Sequence, residues 1–118
     1  MSYIDGYVLA VPNANKEAYR EMAELAVTVF KDHGALQVTE TWGDDVPEGK
    51  VTSFSMAVKR EDNESIVFSW VVWPSKEARN TGMKKSMEDP RMNAWNPNNM
   101  PFDGKRMIFG GFEVLVQG

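Results

Sequence analysis

Residues 65–73, Ser-Ile-Val-Phe-Ser-Trp-Val-Val-Trp, constrain the fold more than any other stretch of the chain. Their density of β-branched and aromatic side chains reads as a strand. Alternation puts Ile66, Phe68, Trp70 and Val72 on one face and Val67, Ser69, Val71 and Trp73 on the other. A sheet with helices on one side and water on the other shows a polar second face. Here both faces are largely apolar, so both need cover. Residues 107–116 repeat the pattern, with Ile108, Phe112, Val114 and Val116 against Met107, Phe109 and Leu115.

The remaining elements follow from periodicity and stop signals. Residues 3–11 read as a first strand that ends at Pro12, and Asn13 or Asn15 is placed to cap the helix that follows. Tyr19, Met22, Ala23, Ala26, Val29 and Phe30 recur at helical steps, with Lys16, Glu17, Arg20, Glu21 and Glu24 on the other side. Gly34 suits a left-handed helix end. Residues 35–43 alternate as a second strand, Leu36, Val38, Glu40 and Trp42 on one face and Gln37, Thr39 and Thr41 on the other. Residues 44–49 are a turn, and residues 51–58 are ambiguous between a strand and a short helical turn. Ser75 caps a second helix that carries Ala78, Met83 and Met87 inward and stops before Pro90. Residues 91–103 form an irregular connection.

The order β-α-β-(short segment)-β-α-β predicts an α+β, ferredoxin-like βαββαβ domain over residues 1–118, an antiparallel sheet with two helices on one face. Two helices cover only one side. The second sheet face is therefore expected to pack on another copy of the chain, most simply as a two-fold homodimer.

Composition removes several function classes. Net charge is −4 and no Lys/Arg run exceeds a pair, so no nucleic-acid partner is expected. With no cysteine, disulfides and thiolate metal sites are excluded. No apolar run approaches the roughly 20 residues that cross a bilayer, and no signal-peptide pattern opens the chain. A cytoplasmic protein without membrane association, metal or cofactor is expected. No nucleophile signature, phosphate loop or metal-ligand cluster is present.

Four groups of residues compete as sites. Asp103, Lys105 and Arg106 form a charged turn that could clamp a substrate carboxylate. Gly110 and Gly111, adjacent inside the last strand, would leave room above the sheet there, since glycine in a strand marks a close approach or a bulge. Trp42 and Trp70, with Phe68, Trp73 and Phe112, could wall a pocket, although aromatics serve core and interface equally. Asp44 and Asp45 could bind a cation or divide acid and base roles, but suit a turn better. His33, the single histidine, lies where its charged form complements a helix end. Arg79 and Arg91 could supply cations to an anion pocket, with surface ion pairs the more ordinary use.

Trp42-Gly-Asp-Asp-Val-Pro47, Phe68-Ser-Trp70, Trp73-Pro-Ser75, Asp89-Pro-Arg-Met92 and Met100-Pro-Phe-Asp-Gly-Lys-Arg-Met-Ile-Phe-Gly-Gly-Phe112 together resemble the YbaA-like family of small bacterial proteins of unknown function. The resemblance covers nearly the whole chain. It implies membership of the dimeric α/β-barrel superfamily, in which the sheet of one ferredoxin-like subunit faces its twin's. Fold alone carries no function. Two readings stay open. One is a dimeric small-molecule binder or cofactor-free enzyme, its pocket between sheet and helices near Trp42, Trp70 and the 103–106 loop. The other is a non-catalytic dimeric module with no ligand, its aromatics all structural.

Overall fold

The computed structural model describes residues 2–95 and 97–118, and for residues 94 and 97 the backbone only. Four antiparallel strands, β1 (Tyr3–Pro12), β2 (Gln37–Trp42), β3 (Glu64–Trp73) and β4 (Ile108–Glu113), form one sheet in the order β2-β3-β1-β4. Helices α1 (Lys16–Asp32) and α3 (Lys76–Glu88) make the two crossovers, and the short α2 (Phe54–Ala57) lies between β2 and β3. This is the ferredoxin-like βαββαβ arrangement that the order of elements predicts.

Register decides which residues share a face. Tyr3 pairs with Trp73, Asp5 with Val71, Tyr7 with Ser69 and Leu9 with Val67. These side chains share the helix-covered face. Val38, Glu40 and Trp42 of β2 join them, opposite Val71, Ser69 and Val67. The alternate set, Ile4, Val8, Phe68, Trp70, Val72, Ile108 and Phe112, points the other way.

The helix-side core packs Val29 and Phe30 of α1 on Trp73, whose ring meets Phe30 edge-on at 6.3 Å. Gly82 permits α3 to approach. A Cβ there would run into the Trp73 ring and lie 2.5 Å from the His33 carbonyl oxygen. Ser75 caps α3 by accepting from the Ala78 N–H at 3.0 Å. The cap expected of asparagine on α1 does not form. Asn15 stands at the N-cap but donates to the Pro101 carbonyl at 2.9 Å, and Asn13 accepts from Ser65. Both amides tie the helix start to distant chain instead. Gly34 follows α1 at φ +111°.

The 51–58 ambiguity resolves as helix. Ser53 caps α2 by accepting from the Met56 N–H at 3.0 Å, and Val58 and Val46 close over Ala10 and Ile66. The excursion between β2 and β3 thus covers one end of the second sheet face, which the two-helix plan left bare. The last strand is shorter than predicted, ending at Glu113 rather than Val116. Its only sheet neighbour is β1, and Glu113 pairs with Tyr3, where β1 begins. Leu115 and Val116 lie beyond the strand and are exposed. Between α3 and β4 the chain makes three 3-10 turns among the described residues (Pro90–Ala94, Pro97–Asn99, Gly104–Arg106). Asn96, part of the asparagine-rich connection, lies outside the described residues. No helix among the described residues is long and apolar enough to cross a membrane.

Candidate functional site

A cavity of about 530 Å³ lies between the helix-side sheet face and α1, α3 and the 90–107 connection. Its walls are mostly apolar: Leu9, Ala23, Ala26, Phe30, Val38, Met83, Met92, Trp95 and Phe102 among them. Met87 and Phe109 also line it and are themselves exposed, which puts them at the mouth. The volume falls within the roughly 300–1,000 Å³ of small-molecule pockets.

The polar groups of the cavity lie on its floor, in two neighbouring rows of the sheet. One row runs Gly111, Asp5, Val71, Val38, and the next runs Phe109, Tyr7, Ser69, Glu40. Asp5 is buried and fully engaged. Its carboxylate accepts from Trp73 Nε1 at 3.0 Å and from Arg79 through both Nε and Nη2, the latter at 2.9 Å. The Arg79 guanidinium also lies 5.1 Å over the Tyr3 ring. The cation and the anion neutralise each other, so this end of the floor offers little net charge to a ligand.

Glu40 has a different set of partners. Tyr19, from α1, donates to its Oε1 at 2.5 Å, and the Ser69 hydroxyl bonds it from β3. No Lys, Arg or His pairs with it among the described residues. Burial pushes the Glu40 carboxyl up from its ordinary range, and the two hydroxyl contacts only partly offset this. Tyr19 and Tyr7 are pushed up as well, first by burial and then by neighbouring carboxylates. Both phenols are therefore donors at neutral pH. Trp95 also lines the cavity, with its indole nitrogen out of reach of the open space. Its Nε1–H is buried and has no acceptor among the described residues.

The residues expected from sequence are distributed differently. Trp42 is on the cavity side but lines a smaller recess of about 290 Å³, with Lys16 Nζ 5.1 Å over its ring. Trp70 falls on the opposite sheet face beside Phe68, ring centroids 5.5 Å apart, because alternation puts it out of step with Ser69 and Val71. Phe102 and Met107 line the cavity, while the turn between them faces away. There Asp103 accepts from the Lys105 N–H at 3.0 Å and from Arg106 Nε at 3.1 Å. Arg106 grips Glu64 with Nη1 at 2.8 Å and Nη2 at 2.7 Å. That guanidinium is committed to closing the 90–107 connection onto β3, and Lys105 is exposed.

Gly110 and Gly111 do not leave an open patch. They point to opposite faces, and β4 keeps an unbroken register with β1, without a bulge. The Tyr3 hydroxyl and Arg79 fill the space over Gly111, and the Phe112 ring covers Gly110 and its partner Gly6. The close approach expected of these glycines is made by the protein's own side chains.

Asp44 and Asp45 are exposed loop residues. His33 caps α1 and bonds Asp89 at 2.9 Å, and Arg91 holds Asp89 and Asp32 on the surface. Among the described residues no three His, Asp or Glu side chains converge as a metal site would require. Asp5, Tyr7, Tyr19 and Glu40 were not singled out by sequence as a site, and Arg79, considered there as a cation for an anion pocket, is spent on Asp5. Glu40 did carry a signal, as a carboxylate on the same strand face as Val38 and Trp42.

The profile of a family described as "Protein of unknown function (DUF1428)" matches residues 2–104. The chain belongs to this family. Its relatives in DUF1428 include the uncharacterised protein YbaA of Escherichia coli K12 and that of Shigella flexneri. Each is 57% identical over 116 residues, spanning 98% of both chains. Among solved structures, the DUF1428 fold is similar to SnoaB, a cofactor-independent oxygenase from Streptomyces nogalater, with TM-score 0.62 and 13% identity over 98% of this chain and 95% of that one. Rv0793 from Mycobacterium tuberculosis gives TM-score 0.56 and 10% identity over 99% and 98%. At such identities the likeness is one of fold.

Proposed function

We propose that this protein is a cytoplasmic homodimer that binds a small, mainly apolar and uncharged molecule in the sheet–helix cavity, with cofactor-free chemistry on that molecule as its enzymatic form. The observation that carries the reading is the cavity itself, ligand-sized and floored by a carboxyl held by hydroxyls alone. A module whose aromatics were all structural would have packed this space solid. An anionic ligand would meet Glu40 with no free cation lining the cavity among the described residues, so a neutral one fits better. SnoaB, which shares the fold, is named a cofactor-independent oxygenase; this supports chemistry without a cofactor by analogy of fold alone.

The homodimer rests on the second sheet face. Phe68, Ile108 and Phe112 are 44%, 46% and 60% exposed there, with Phe54 of α2 beside Phe68. A contiguous apolar patch of this kind marks an interface, and a second copy brings the same surface to it under two-fold symmetry. Native mass spectrometry on freshly purified protein tests both halves. Twice the 13.3 kDa chain mass plus a reproducible small increment is the expected result. A monomer would remove the dimer. A bare mass, together with no binding across a panel of apolar ring compounds, would remove the ligand.

A further inference from the structure

Among the described residues four carboxyl side chains are not exposed: Asp5, Glu40, Glu64 and Asp89. Arg79, Arg106 and Arg91 hold three of them in ion pairs. Glu40 alone has no cationic partner. Charges withdrawn from water are normally paired, because an uncompensated one costs several kcal/mol. A structural role at this strand position would be met as well by glutamine or threonine, without that cost.

The placement of Glu40 adds a second observation. Glu40 and Tyr19 line both the main cavity and the smaller recess, whose other walls include Lys16, Arg20 and Glu24. Those three residues are exposed. The carboxyl therefore stands between a mainly apolar, ligand-sized space and a polar recess at the surface.

We infer that Glu40 is the proton acceptor of the cavity, acting on a neutral, mainly apolar carbonyl compound with an acidic C–H next to the carbonyl. This rests on the cavity being a ligand site. In the step, the Glu40 carboxylate takes the proton as the C–H bond breaks. The electron pair of that bond moves into the ligand to form an enolate. One negative charge leaves Glu40 and one appears on the ligand, so the apolar cavity gains no net charge. The carboxylic acid then exchanges its proton with water in the recess, on the side away from the ligand, and returns a solvent-derived one to the enolate carbon, which restores the ketone and the carboxylate. Tyr19 is a positioning residue that holds the carboxyl by its 2.5 Å bond. The pKa of Glu40, raised by burial, agrees with this role, since a stronger base at the same carboxyl accepts a proton more readily.

The test uses β-tetralone, a neutral two-ring ketone, with the full chain in D₂O. Binding is read by quenching of tryptophan fluorescence, and exchange of the hydrogens next to the carbonyl is read separately by proton NMR. Wild type is expected to bind the ketone and accelerate exchange. Glu40→Gln, close in shape, is expected to bind it and lose roughly 100-fold in exchange rate. Added formate should restore exchange to Glu40→Ala, a rescue that a purely structural glutamate would not show. Binding without acceleration, or acceleration that survives in Glu40→Gln, would overturn the inference and leave the cavity as a binding site. No binding of β-tetralone would overturn the inferred ligand class, while the native mass measurement judges the cavity reading independently.

Discussion

Asp5 and Glu40 lie on neighbouring rows of the same sheet face, beneath the same cavity, and the fold treats them in opposite ways. Asp5 is clamped by two nitrogens of Arg79 and by the Trp73 indole. Glu40 has two hydroxyls and, among the described residues, no cation. The first arrangement holds α3 to β1. The second keeps a carboxyl at low dielectric without compensation, which favours its neutral form. A carboxylate bound to a guanidinium is committed to structure, whereas one bound only to hydroxyls is free to exchange a proton. Glu64 falls with Asp5: Arg106 holds it bidentately and pulls its carboxyl below the ordinary range.

The largest effect that bears on this contrast is expected from Arg79→Ala. It leaves Asp5 buried without its counter-charge and should cost about 3–5 kcal/mol of stability in chemical denaturation. If Asp5 tolerates that loss, the division between structural and chemical carboxyls fails at its structural end. Arg106→Ala should destabilise in the same way by exposing the Glu64 pairing, while ligand affinity in the surviving folded protein stays unchanged. A lost affinity would return the 103–106 turn to the site.

Gly82→Ala sharpens the picture of how α3 is held. Its Cβ would meet the Trp73 ring and the His33 carbonyl, and a cost of about 1–3 kcal/mol is expected from overpacking. An unchanged melting temperature would show that α3 can shift, and with it the Arg79 end of the cavity.

The two carboxyls also predict opposite pH limbs. Glu64 is depressed in the folded protein, so its contribution is present above its unfolded value and is lost as pH falls through the folded one. Glu40 is raised, so its contribution is present below its unfolded value and is lost as pH rises through the folded one. Melting temperature followed across pH should therefore lose its acid limb in Arg106→Ala and flatten on the neutral side in Glu40→Gln. The smallest effect is the gain at neutral pH in Glu40→Gln, about 1 kcal/mol or less. A substantial loss in that variant would make Glu40 a structural residue.

Much of the architecture was legible because it depends on periodicity. The alternation of residues 65–73 and the helical spacing of residues 19–30 each impose a face whatever the remainder of the chain does. The need for cover on both sides of the sheet was also legible. The end of β4 was not, because a strand extends only as far as its neighbour does, and the limit is set by Tyr3 across the pairing. The α2 excursion was hard to read for a related reason: four residues carry no period, and their helix is fixed by the Ser53 cap and by packing of Val58 on Ala10 and Ile66.

The candidate site was less legible. Trp70 and Arg106 have the residue types that suggest binding, yet one points from the other face and the other is spent on Glu64, 42 positions away. Glu40 drew no attention as a chemical group, although its strand face was read correctly. Its distinction is the lack of a cation, and that is visible only when every neighbour is known.

By itself the sequence determined the order of elements, the faces of the strands and helices and the apolar character of both sheet sides, because these follow from local periods of two and 3.6 residues. Only the tertiary structure decided which charges meet. Asp5 lies 74 positions from Arg79, and Glu40 lies 21 from Tyr19. Such pairings are set by strand register and helix packing, so the difference between a carboxyl that is neutralised and one that is left to act appears only in the folded chain.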